Sequence, residues 1–91
     1  MNGKKRNKVE VINDILKTIQ SKHGPIKSSH IMFKSNLSYE MMKEYLKELL
    51  EKGFIAETNV KKSKTYTVTE KGQLFMDKFR TVDEFFNSFG I

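Results

Sequence analysis

Between Leu37 and Phe54 the chain carries the signals for both ends of one helix. Ser38 follows the turn Lys34-Ser35-Asn36, and its hydroxyl can take an orphan amide of the first helical turn. Leu37 and Met42 flank it as a hydrophobic staple. At the far end Gly53 can enter the left-handed conformation that stops a helix, with Phe54 beyond it able to meet Leu49. These signals predict a helix from about Ser38 to Lys52. Met41, Met42, Tyr45, Leu46 and Leu49 recur at three- and four-residue spacing and make one face for a core. Glu40, Lys43, Glu44, Lys47 and Glu51 make the other, left for water or a ligand.

The surrounding segments read in order. Residues 1–7 form a loose basic tail. From about Asn7 to Lys22 an apolar stripe of Val9, Ile12, Ile15, Leu16 and Ile19 predicts a helix that stops before the breaker His23-Gly24-Pro25. Ile26 offers one short strand, and Ser28 to Lys34 reads as a short helix with Ile31, Met32 and Phe33 turned to the core. After the capped helix, Phe54–Asn59 and Lys64–Thr69 are rich in aromatic and β-branched residues and flank Val60-Lys61-Lys62-Ser63, a hairpin pattern. Thr69 can cap a last helix over about Glu70 to Ser88, with Gly72 as an early weak point. The expected fold is α+β and mostly helical: a winged helix-turn-helix over 8–69, followed by a dimerisation helix over 70–91.

Ninety-one residues suit one domain with one modest core and no enclosed cavity between lobes. The chain has no cysteine, which excludes disulfides and cysteine zinc sites and agrees with a reducing compartment. No long apolar segment is present, and Lys4-Lys5-Arg6 is not followed by the apolar stretch of a signal peptide, so the expectation is a cytoplasmic protein with no membrane partner. His23 and His30 lack metal-ligand partners, and His23 reads as a turn residue. No glycine-rich phosphate loop or nucleophile elbow occurs, and Asp77, Asp83 and Glu84 read as a solvated helix face. Neither catalysis nor a cofactor is expected.

Three segments carry a resemblance: Lys34-Ser35-Asn36-Leu37-Ser38, Leu50-Glu51-Lys52-Gly53-Phe54-Ile55 and Tyr66-Thr67-Val68-Thr69-Glu70-Lys71-Gly72. Over about Lys8 to Phe89 the chain resembles small basic archaeal winged-helix proteins, including chromatin-associated DNA-binding proteins that dimerise through a C-terminal helix. The resemblance implies binding of double-stranded DNA by a symmetric dimer, the capped helix in the major groove and the wings along the backbone. It also implies a nucleoid-associated location and a role in transcription regulation or chromatin.

The residues themselves add where contact would fall. The net charge of +6 favours polyanionic partners, and placement gives it meaning. Lys61, Lys62 and Lys64 cluster at the wing, where they can reach a phosphate row without disturbing the core. Lys4, Lys5, Arg6 and Lys8 make a second cluster, a candidate flexible arm. The turn residues Lys34, Ser35 and Asn36, with Ser38, Tyr39, Lys43 and Lys47 of the capped helix, complete the expected DNA-contacting set. Glu40, Glu44, Glu48 and Glu51 share that helix's exposed side and repel phosphates, which predicts recognition mainly through backbone and shape. RNA stacking is disfavoured, with Tyr39 and Tyr66 the only candidate platforms.

On the last helix Phe75, Phe79, Val82, Phe86 and Phe89 fall at steps of four, three, four and three, a heptad seam that Leu74 and Phe85 widen. A helix of about 19 residues reaches roughly 28 Å, beyond what a small domain can cover. The seam therefore predicts a homodimer, with only Leu74 and Phe75 completing the local core. Spacing leaves parallel and antiparallel pairing open, and the resemblance implies antiparallel. The rival expectation is a protein-docking module of a transcription assembly, using the charged helix face and the phenylalanine helix.

Overall fold

A computed structural model describes residues 6–91, so Lys4 and Lys5 of the expected arm lie outside the described residues. Helix α1 runs Lys8–Ser21, strand β1 Ile26–Lys27, α2 Ser28–Ser35, α3 Tyr39–Glu51, β2 Ile55–Val60, β3 Ser63–Val68 and α4 Glu70–Asn87. The three strands form one antiparallel sheet in the order β1-β3-β2, with Ile26 opposite Tyr66 and β2 paired to β3 from Ile55↔Val68 to Val60↔Ser63.

Local chemistry sets the boundaries. Asn7 caps α1 through a reciprocal box with Glu10: each side chain accepts from the other residue's backbone amide. Arg6 is tied down as well, donating to Asp14 at 2.7 Å and to the Ser35 carbonyl at 2.9 Å. Residues 6 and 7 are thus part of the fold, a correction to the loose tail. Helix α2 ends on Asn36 at φ +56, and the amide of Leu37 reaches back to the Met32 carbonyl. Helix α3 ends likewise: Gly53 has φ +78, its amide donates to Leu50 and that of Phe54 to Leu49, a Schellman closure where the sequence signals it. Ser38 accepts from the Met41 amide at 3.1 Å, and Thr69 from that of Gly72.

The core joins Ile12, Ile15, Leu16 and Ile19 of α1 to Ile31, Met42, Leu46, Leu49, Ile55, Tyr66 and Met76. Four expected core residues are exposed instead. Phe33 is 79% exposed because α2 buries Ile31 and Ser35, four apart, and Phe33 projects from the other side. Leu74 stands outward for the same reason, α4 turning Gly72 and Met76 inward. Met41 and Val9 sit at the margins of their stripes and are also exposed.

Gly72 is a requirement rather than a weak point. A Cβ there would lie 2.2 Å from the Phe54 carbonyl oxygen and 2.9 Å from Val68 Cγ1. Helix α4 can therefore start against the hairpin only on a residue without a side chain. The strands also extend one residue closer to the tip than the sequence suggests, leaving a two-residue turn of Lys61 and Lys62. Both have positive φ, 48° and 69°, the signature of a type I′ turn.

Candidate nucleic-acid interface

Helix α3 and the β2–β3 hairpin face each other across an open groove of about 600 Å³. Tyr39, Lys43, Lys47 and Glu51 line one wall, Glu57, Lys64 and Tyr66 the other, and Ser28 at the start of α2 closes one side. Lys43 Nζ sits 5.3 Å from the Tyr39 ring centroid. Among the described residues, no carboxylate lies within ion-pair distance of Lys43, Lys47, Lys61 or Lys62. These four are therefore available cations, and i to i+4 pairing does not occupy Lys43 or Lys47.

The glutamates of α3 are partly segregated from that wall. Glu44 and Glu48 line a separate depression with Lys8, Met41 and Tyr45. Glu48 is paired to Lys8 at 2.8 Å and to Lys52 at 3.5 Å. The Lys8 hydrogen bond holds the Glu48 carboxyl below the usual carboxylate range, and the same contact raises Lys8. Helix α3 therefore presents its free lysines toward the wing and its neutralised glutamate toward α1.

Several expected contact residues are otherwise employed. Ser35 is buried, its hydroxyl directed at Thr18 Oγ1 and its carbonyl taken by Arg6, so its side chain cannot reach DNA. Arg6 fastens the α2–α3 turn to α1 instead of lying in a free arm, and Lys8 is held by Glu48. Asn36 is exposed but serves as the left-handed stop of α2, while the Ser38 hydroxyl caps α3. Lys34 is exposed at the end of α2, where a cation complements the helix dipole. Tyr66 is buried and cannot act as a stacking platform.

Sequence reading missed Glu57 and Ser28 as groove residues. Tyr66 donates its hydroxyl to Glu57 Oε2 at 3.1 Å, and Lys64 Nζ lies 3.9 Å from the same oxygen. Burial, then the Glu57 contact, pushes the Tyr66 phenol up to about 12. The period-two alternation of the hairpin was the available signal, since positions 57, 64 and 66 share one face.

The winged helix-turn-helix family model matches residues 5–87. The chain belongs to the winged helix-turn-helix family. Its relatives include the uncharacterized protein MJ0290 of Methanocaldococcus jannaschii, 35% identical over 78 residues that make up 86% of this chain and 34% of that protein. This winged helix thus spans about a third of the length of the curated relative it matches. Among solved structures it is similar to Sso10a-2, a DNA-binding protein from Sulfolobus solfataricus, with TM-score 0.76 and 23% identity, covering 91% of this chain and 87% of that one. It is also similar to MepR, a transcription regulator of the Staphylococcus aureus multidrug efflux pump MepA, with TM-score 0.74 and 15% identity over 87% of this chain and 61% of that one. Both of these likenesses are of fold.

This winged helix exposes a second surface along α4. Phe75 packs on Phe54 at 5.3 Å between ring centroids and is half-buried, as is Phe79. Beyond them Val82, Phe85, Phe86 and Phe89 are exposed, Phe85 stacking edge-on against Phe86 and Phe89. A groove of about 380 Å³ separates Val9 and Glu10 of α1 from Phe75, Phe79, Val82 and Phe86. No helix among the described residues is long and apolar enough to cross a membrane.

Proposed function

We propose that this winged helix binds double-stranded DNA as a homodimer, as a transcriptional regulator or chromatin-associated protein. In this reading α3 enters the major groove, the β2–β3 hairpin follows the backbone, and α4 joins the protomers. The observation that carries it is the groove walled by Lys43 and Lys47 on one side and Lys64 on the other, with Lys61 and Lys62 at the hairpin tip. Lysine at a left-handed position costs about 1–2 kcal/mol that glycine would not, and backbone strain of this kind concentrates at functional sites. Two adjacent lysines there, with no ion pair among the described residues, fit a projecting phosphate contact.

The dimer reading rests on α4. Its 18 residues extend about 27 Å, and its distal aromatic row has no cover among the described residues. Two wings on one frame bind as linked modules, which multiplies a weak contact on each side when their spacing fits the duplex.

Replacing Lys61, Lys62 and Lys64 together with alanine tests the assignment. The expected result is weaker binding to every duplex and a shallower salt dependence by about 2.7 per protomer on a logarithmic scale. Unchanged binding would remove the wing from the interface and favour the protein-docking alternative, for which the outward-facing Phe33 is the supporting observation.

A further inference from the structure

We propose that Glu57 is an internal competitor of the DNA phosphate, holding Lys64 in the free protein and weakening the wing's grip on any duplex. This rests on the DNA-binding reading and adds to it a residue that sets affinity rather than contacts the ligand.

Glu57 and Tyr66 are direct cross-strand partners on the hairpin face that looks across the groove to α3. Tyr66 is buried, so its hydroxyl needs an acceptor, and the Glu57 carboxylate supplies it at 3.1 Å. That bond fixes a negative charge beside Lys64 on the hairpin wall, as Glu51 places one beside Lys43 and Lys47 on the facing wall. Lys64 completes the arrangement with its Nζ 3.9 Å from the same oxygen, while its side chain remains 66% exposed. A long, exposed pair of this kind is weak and exchanges readily for a stronger acceptor. A phosphate entering between α3 and the hairpin therefore attracts Lys64 away from Glu57. The carboxylate cannot follow, because Tyr66 retains it, and it stays behind as a charge opposing the phosphate. Lys43 and Lys47 on the facing wall carry no such restraint among the described residues. The hairpin is thus the self-limited half of the groove and α3 the unrestrained half.

The test compares wild type, Glu57→Gln, Lys64→Ala and the double variant in titrations of random-sequence duplex DNA at several salt concentrations. Glutamine keeps an oxygen for the Tyr66 hydroxyl and removes the charge. Glu57→Thr, well suited to a strand, gives an independent second variant should the glutamine fail to fold. The expected result is binding tightened about two- to fivefold per protomer. In the Lys64→Ala background the gain should shrink, since removing the standing charge still helps but no lysine remains to be released. Wild-type binding that Glu57→Gln leaves unchanged or weakens overturns the proposal and leaves the DNA reading standing, and a gain of equal size without Lys64 overturns it too. Absence of duplex binding by the wild type overturns the DNA reading itself.

Discussion

At Gly72 the chain leaves out a side chain that helix propensity would favour. Alanine there should improve the helix by about 1 kcal/mol, yet its methyl group would meet the Phe54 carbonyl. Overpacking of this kind costs about 1–3 kcal/mol or more, so Gly72→Ala is expected to lower stability in denaturant melts. The wing tip makes the opposite choice, keeping lysines where asparagine and glycine fit the turn. Lys61→Asn with Lys62→Gly should therefore stabilise the fold by about 1–2 kcal/mol while flattening the salt dependence of DNA binding by about 1.8 per protomer. A double variant that is both more stable and equally good at binding would dissociate the turn from function. Sequence made the Gly53 stop legible because a local rule governs it. It hid the reason for Gly72, which depends on where a segment eighteen residues upstream folds.

Ser38, Gly53 and Thr69 bound α3 and α4 by local chemistry and were the most legible feature of the elements, whereas the Asn7 cap of α1 read as tail. Ser38→Ala should cost α3 about 1 kcal/mol of stability, read by the same melts. Stripe width was less legible: spacing marks the centre of a buried face, whereas Met41, Val9, Phe33 and Leu74 lie at or beyond edges that the neighbouring elements define. Charge was least legible, because Arg6 and Lys8 look free in sequence and find Asp14, the α2 carbonyls and Glu48 only once α1 is packed on α2 and α3. The hairpin offers a pH test. Tyr66 titrates near 12 in the folded state against an ordinary 10.0, so its contribution is complete below the unfolded value and is lost as pH rises through the folded one. Stability should fall between about pH 10 and pH 12, and Tyr66→Phe should remove that part of the loss. Tyrosinate absorbance should show a late-ionising phase that Tyr66→Phe removes; a wild-type minus variant difference centred near 10.0 would place Tyr66 in water.

For the whole molecule, the extents of 48 × 29 × 22 Å reflect α4 reaching past the core and carrying its aromatic row with it. We propose that a second copy covers this row, and charges at its centre test that directly. Val82→Glu with Phe86→Glu should convert a dimer to a monomer in sedimentation while leaving the helical signal intact, since neither residue belongs to the buried core. An unchanged sedimentation coefficient would place the interface elsewhere. A monomer should also bind DNA far less tightly, because the linkage between two wings is lost. The central claim is that a lysine-walled groove and wing grip the duplex backbone, and the salt dependence of binding to random-sequence duplex DNA tests it most directly. With about four phosphates neutralised by each protomer of a dimer, the logarithmic slope should lie near −7. A slope near zero, or no binding at low salt, would contradict it.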